Sequence, residues 1–184
     1  MRAALLLRRA PPPVAEKALV AEAREFARGL PESTRLQVCA GLDGTLAHIY
    51  AWIAPEALGV LDGAARPERL APMAEWKGIS AGSPAPYHYV VETDVEPDWE
   101  AEFNRWYHVE HMPGLAAVPG NVHCARMRSV DAPPRYRACY ELESPEVLAR
   151  SEWLAIRHTP WADRVRPHFH NTRRTMFRTL LDER

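Results

Sequence analysis

Glu110 and His111 stand side by side in the run Pro97 to Gly120, PDWEAEFNRWYHVEHMPGLAAVPG, just after three large aromatic residues. At the helical repeat, Trp99, Phe103, Trp106 and Glu110 share one narrow stripe. Asn104, Tyr107 and His111 flank that stripe, and His108 points to the opposite side. A carboxylate and an imidazole beside an aromatic wall suit proton transfer, with Glu110 and His111 as the carriers. Trp106 and Tyr107 would offer apolar surface to a small ligand, and Asn104 a hydrogen bond. Each group also has a plainer reading. His111 could cap the last carbonyls of its helix, and Glu110 could pair with an arginine beyond the buried turns. Trp99, Phe103 and Trp106 could simply be core. Pro113 cannot continue a helix and disfavours the helical conformation at Met112, so the helix is expected to end there.

Other chemistries find less support. His108 and His111 are three residues apart and lack the HExxH arrangement that sets two imidazoles on one face around a base. His168-Phe169-His170, with His158 nearby in sequence, would put two imidazoles on one side of an extended segment, a weak chelator. No resident metal or cofactor is expected. There is neither a Gly-rich phosphate loop nor a Gly-x-Ser-x-Gly elbow. Cys39, Cys124 and Cys139 form no CxxC pair and are odd in number, which reads as reduced thiols in a cytoplasmic setting. A formal charge of -1 argues against nucleic acid or an anionic membrane as partner. The apolar run Ala3 to Leu7 is too short for a signal-peptide core or a membrane span and reads as a strand.

The elements that would position these groups come in two sets. Arg2 to Arg8 is a strand, ended by the triproline Pro11 to Pro13. Val14 to Leu30 is an amphipathic helix through Leu19, Ala23, Phe26 and Leu30, closed by Gly29 and Pro31. Around Asp43-Gly44, two alternating runs read as a hairpin with a two-residue turn, pairing Val38 with Ile49 and Cys39 with His48. Its one face, Leu36, Val38, Ala40, Ala47, Ile49 and Ala51, is apolar; the other carries Gln37, Cys39, Leu46, His48, Tyr50 and Trp52. Pro55 to Trp76 reads as a helix broken at Gly63 and Pro72, with a short strand at Lys77 to Ser80 and a linker, GSPAP, at residues 82–86. The order then repeats: strand Tyr87 to Asp94, helix Pro97 to Met112, strands Asn121 to Arg128 and Tyr136 to Leu142 around Asp131-Ala132-Pro133-Pro134. A helix opened by Ser144-Pro145 and a strand Thr172 to Leu180 follow. Each half is βαββαβ, the ferredoxin-like unit. The expected fold is therefore α+β, a diverged duplication divided into residues 1–82 and 83–184.

The run EFNRWYHVEHMPGLAAVPG, with the later YRACYELESPEVL, resembles the EthD-like branch of the dimeric α/β-barrel superfamily. That resemblance covers residues 87–180 through its motifs and residues 1–80 only through the order of elements. It implies two four-stranded antiparallel sheets closed into a barrel with helices outside, here a pseudo-dimer within one chain. It implies activity less narrowly, since members include monooxygenases on polyketide-like aromatics, lactone isomerases and haem-degrading enzymes. Haem would take His88, His111 or His123 as axial ligand, and further self-association into a homo-oligomer would be in keeping with an exposed helix layer.

Pairing His123 with Tyr140, Ala125 with Ala138 and Met127 with Tyr136 gives a sheet face with small residues at its centre. His123, Tyr136 and Tyr140 would then line a cavity roofed by Asn104, Trp106, Tyr107 and His111. Arg126, Arg137, Cys124, Cys139 and Glu141 would occupy the other face. The positions matching Asn104, Tyr107, Glu110 and His111 in the first half are Arg24, Ala27, Leu30 and Pro31, so that half is expected to be packed solid. The reading is a small enzyme acting on a hydrophobic, oxygenated or aromatic molecule by proton transfer or cofactor-free oxygenation, with a non-catalytic binder as the alternative.

Overall fold

The computed structural model describes residues 1–10, 15–59 and 67–183. Eight strands form one closed antiparallel barrel: β1 (Ala3–Arg9), β2 (Arg35–Gly41), β3 (Ala47–Ile53), β4 (Glu68–Lys77), β5 (Tyr87–Val95), β6 (Asn121–Ser129), β7 (Tyr136–Leu142) and β8 (Phe169–Glu183). Around the barrel they run β1-β3-β2-β8-β5-β7-β6-β4. Cut between β2 and β8 and between β6 and β4, this ring gives two sheets, β4-β1-β3-β2 and β8-β5-β7-β6. Both have the ferredoxin-like order, so the chain is α+β and supplies both sheets of the barrel itself. Closure leaves no sheet edge exposed to another chain. Outside lie α1 (Glu16–Ala27) over the first sheet, and α2 (Glu100–Trp106), α3 (Met112–Ala116), α4 (Ser151–Arg157) and α5 (Pro160–Val165) over the second. Among the described residues no helix is long and apolar enough to cross a membrane.

The first hairpin has the expected register, Val38 opposite Ile49 and Cys39 opposite His48. Its turn differs. Gly44 N–H donates to the Gly41 carbonyl at 3.0 Å, Gly41 N–H to that of Leu46 at 2.7 Å, and Gly44 alone takes a positive φ, +70°. Asp43 accepts from the Thr45 N–H and hydroxyl instead of entering the left-handed region. The apolar face lies under α1, where Leu19 and Ala23 meet Leu7, Leu36, Val38 and Ile49. The polar face lines the barrel interior.

The fourth strand was expected in the wrong place. Glu68–Lys77 is extended, and among the described residues of the region expected as helix only Pro55–Gly59 forms a helical turn. Pro72, expected to break a helix, sits instead in this strand at a register shift between Pro72 and Ala74, where a ladder N–H is not required. Pro11 to Pro13, Val14 and Gly63 lie outside the described residues. Ser144 makes no side-chain cap, and the segment after it is a short turn, Pro145–Ala149, before α4.

The second hairpin corrects a register. A shift between Asn121 and His123 sets Cys124 against Tyr140, Ala125 against Cys139 and Arg126 against Ala138. One residue of slip turns every side chain to the other face. His123, Ala125 and Met127 therefore share the barrel interior with Arg137, Cys139 and Glu141, while Cys124 and Arg126 lie under the helices with Tyr136, Ala138 and Tyr140. Cys124 and Cys139, expected on one face of the sheet, point to opposite sides; both are buried free thiols, pushed up to about 12 by burial.

Candidate functional site

The helix over the second sheet does not end at Met112. Between α2 and α3 the backbone widens into one π-turn, Tyr107–His111, in which Met112 N–H donates to the Tyr107 carbonyl five residues back. The wide turn accommodates Pro113 inside a helix that runs on to Ala116. It also rephases the side chains. In a regular α-helix Glu110 would continue the stripe of Phe103 and Trp106; here His111 takes that place. Its ring stacks on Trp106 with centroids 4.2 Å apart, and Tyr107 meets it edge-on at 5.2 Å.

His111 is 5% exposed, and its Nδ1 has no hydrogen-bond partner. Burial, then the charges of Arg166, Arg157 and Arg126, hold it well below the ordinary histidine value, against a weaker hydrogen bond that the ring donates to the Ile156 backbone. It is a neutral imidazole at pH 7. The space it faces is lined by Tyr89, Trp106, Tyr107, Tyr140, Trp153 and Phe169, with Arg157, Arg166 and Arg174 converging at its mouth. Its free volume is about 30 Å³, room for one or two waters. The three arginines form no ion pair among the described residues, and Arg166 is lowered by burial and by Arg157 beside it. Long, half-exposed or exposed arginine side chains thus fill the entrance to an aromatic chamber.

The residues selected from sequence divide into four groups. Trp106, Tyr107, His111 and Tyr140 come together around this space; the Tyr140 hydroxyl donates to Met112 Sδ at 3.2 Å. Asn104 and Tyr136 lie outside this lining, 3.5 Å from one another, where the Tyr136 hydroxyl donates to the Glu100 carboxylate. Glu110 is turned aside, its Oε1 accepting from Trp106 Nε1 at 3.0 Å and from the Thr159 hydroxyl at 2.5 Å. His123 is on the far side of the sheet, 3.9 Å from Glu75.

Three features were missed. Arg157 and Arg166 come from helices whose sequence gave them no partner, and Arg174 from a strand where a solvated arginine is the default. Arg126, expected on the opposite face, is 3% exposed, and its guanidinium lies 4.2 Å from the Tyr107 ring centroid and 5.0 Å from that of Phe103. His168 stacks on Trp99 at 3.6 Å and reaches Glu96 at 2.7 Å. Among the described residues no three His, Cys, Asp or Glu side chains are grouped to hold a metal ion.

Neither a protein-family model nor a curated protein matches the sequence. Solved structures do match the fold. A crystal structure of an anthrone oxidase-like protein superposes with a TM-score of 0.67 at 13% identity, covering 99% of this chain and 92% of that one. A monooxygenase-like protein from Listeria innocua gives 0.62 at 10% identity, over 97% and 93% of the two chains. A heme-degrading enzyme from Listeria monocytogenes gives 0.61 at 5% identity, over 96% and 98%. The chain thus has the dimeric α/β-barrel fold, two ferredoxin-like units in one polypeptide, that monooxygenase-like and heme-degrading proteins share.

Proposed function

We propose that the second ferredoxin-like unit carries a site for a hydrophobic, oxygenated or aromatic small molecule, worked by proton transfer through His111. The observation that carries this reading is a buried, unpartnered imidazole nitrogen in an aromatic chamber entered past three arginines that form no ion pair among the described residues. A neutral imidazole can accept a proton from an acidic C–H or O–H, and an arginine beside it stabilises the oxyanion left behind. An anion seated there also offsets the arginine charges that disfavour imidazolium. The ligand enters by displacing Arg157, Arg166 and Arg174, whose mobility costs little packing. Trp106, Tyr107 and Tyr140 then orient it as apolar walls. Glu110 serves as support, fixing the Trp106 indole, and Asn104 and Tyr136 belong to the rim. The EthD-like resemblance and the anthrone oxidase-like neighbour favour an oxygenated polycyclic substrate over a sugar or a nucleotide.

A haem reading does not fit. At His111 a macrocycle would have to part the buried walls Trp106, Tyr107 and Tyr140, not only swing the three arginines aside as a smaller ring system does. His88 and His123 lie inside the barrel, beside the carboxylates of Glu75 and Glu141.

The test is exchange of the methylene protons of anthrone in D₂O, followed by proton NMR. The wild type should accelerate exchange over buffer. His111→Ala should return it to the buffer rate, and Arg166→Ala should lower it at least tenfold. Exchange at the buffer rate with folded wild type refutes the proton-transfer role. Should anthrone still bind without exchange, with loss of binding in Arg166→Ala, the same chamber is a binding site alone.

A further inference from the structure

The barrel interior is built in layers. One end is closed by ion pairs: Arg137 Nε lies 3.1 Å from Glu92, Arg137 Nη2 2.6 Å from Glu68, and Arg8 3.2 Å from Glu68. Above them come His48, Tyr50 and Phe177, packed ring against ring. The other end is not filled. There a cavity of about 330 Å³ opens between the two sheets, lined by Arg35, Trp52, Glu75, His88, His123 and Glu141 among others. That volume is at the lower end of small-molecule sites and suits a molecule of one or two rings.

His88 forms the floor. It is 1% exposed, its edge meets the Tyr50 ring, and neither ring nitrogen has a hydrogen-bond partner. Buried polar side chains are rarely left so, and a fully buried imidazole with both nitrogens idle beside an open cavity marks a missing partner. The walls say what that partner offers. Arg35 donates through Nε to Asp182 at 2.6 Å and through Nη2 to Glu141 at 2.8 Å. Glu75 and Glu141 add carboxylate oxygens, which accept hydrogens, beside the cationic side chains of Arg2 and Arg35, so a ligand charge of either sign meets a like charge on the wall. Pro72, Ala125, Met127 and the Trp52 ring give the rest an apolar surface.

We infer that this barrel mouth is a second small-molecule site, distinct from the chamber under the helix, which takes an uncharged hydroxylated aromatic ring system. One hydroxyl reaches His88 at the floor, a second donates to Glu141 or Glu75 near the rim, and the ring lies on Met127 and Trp52. Because its walls come from both sheets, an occupant also ties the two units together.

The probe is 2,7-dihydroxynaphthalene, titrated into the full chain by calorimetry and by histidine side-chain NMR, with 2-naphthoate as the anionic counterpart. Saturable one-to-one binding of the diol, with His88 resonances shifting and at least tenfold weaker binding of the naphthoate, is the expected result. Ala125→Leu, which projects into the cavity from β6, and His88→Phe, which removes both nitrogens, should each weaken the diol at least tenfold. Should His88→Phe fail to fold, Ala125→Leu decides. His111→Ala and Arg166→Ala, in the other chamber, should leave the diol unaffected. No saturable binding, or binding insensitive to Ala125→Leu, or binding lost in Arg166→Ala, overturns the inference.

Discussion

The two units share one backbone plan and bury different chemistry between helix and sheet. In the first, the fully buried contact of α1 with its sheet is Leu19 and Ala23 on Leu7, Leu36, Val38 and Ile49, all aliphatic, with Phe26 half-buried beside them. In the second, the helix meets its sheet through Phe103, Trp106, Tyr107 and His111 on Tyr89, Tyr136, Ala138 and Tyr140, with Arg126 enclosed among the rings. The strand pairings make the comparison residue by residue: Ile49 opposite Leu7 in the first sheet corresponds to Ala138 opposite Val91 in the second. Branched aliphatics fill the first interface to a dry core. An alanine at the sheet centre, roofed by aromatics, leaves room for a guanidinium and an imidazole. A helix-on-sheet interface becomes a site where small and aromatic residues replace branched ones, and where a π-turn presents a polar group inward.

The comparison would be broken most severely if the units were independent. They are joined through the barrel by Arg8 and Glu68 from one and Glu92 and Arg137 from the other, with Arg137 fully buried. Arg137→Met leaves Glu92 buried beside one arginine instead of two. It should cost about 3–5 kcal/mol, measured by urea unfolding as one transition lowered as a whole. Two transitions, only one of them shifted, would mean that the units unfold separately.

A smaller effect sharpens the residue-level correspondence. Ala138→Ile gives the second sheet the side chain that the first carries at Ile49. With about 30 Å³ free beneath the helix, the added carbons meet Arg126 and the aromatic ring wall. Overpacking should cost about 1–3 kcal/mol, and proton exchange on anthrone should fall with it. A loss of exchange with no loss of stability would place free space at Ala138 that the packing does not show.

How much of this was legible depended on whether the signal was local. Asp43-Gly44 fixed the first register although the turn it makes is of another type, because strand pairing there is also set by an unbroken apolar face. In the second hairpin the alternation was equally clear, but the bulge after Asn121 moved His123 to the barrel interior and Arg126 under the helix. A bulge has no compositional mark in this strand. The stripe of Phe103 and Trp106 was legible as a helix face; the π-turn that exchanges Glu110 for His111 was not, since a backbone hydrogen bond one residue longer leaves the sequence periodicity unchanged until the turn is passed. Arg157, Arg166 and Arg174 came from three separate elements, and only the tertiary fold brings them together.

The smallest effect is also the most specific to His111. His48, His88 and His111 are all depressed, chiefly by burial, His88 to about 4. Each is neutral in the folded protein, whereas the unfolded chain takes up a proton near 6.5. Between the folded value and 6.5 the unfolded state binds more protons, so the stability each contributes is complete above 6.5 and is lost as pH falls. Each such group adds up to about 1.4 kcal/mol per pH unit to the slope. His111→Leu replaces the imidazole by the kind of residue the first unit uses at its interface. At pH 7.5 the change in stability should stay below about 1.5 kcal/mol, as for other volume-conserving swaps. From pH 6.5 to pH 5, urea midpoints of the variant should fall less steeply than those of the wild type, by one group's share of the slope. Parallel pH profiles would mean that His111 gains its proton in the folded state as readily as in the unfolded one. The second interface would then hold a charged imidazole among its arginines, and the neutral base on which the contrast between the two units rests would be lost.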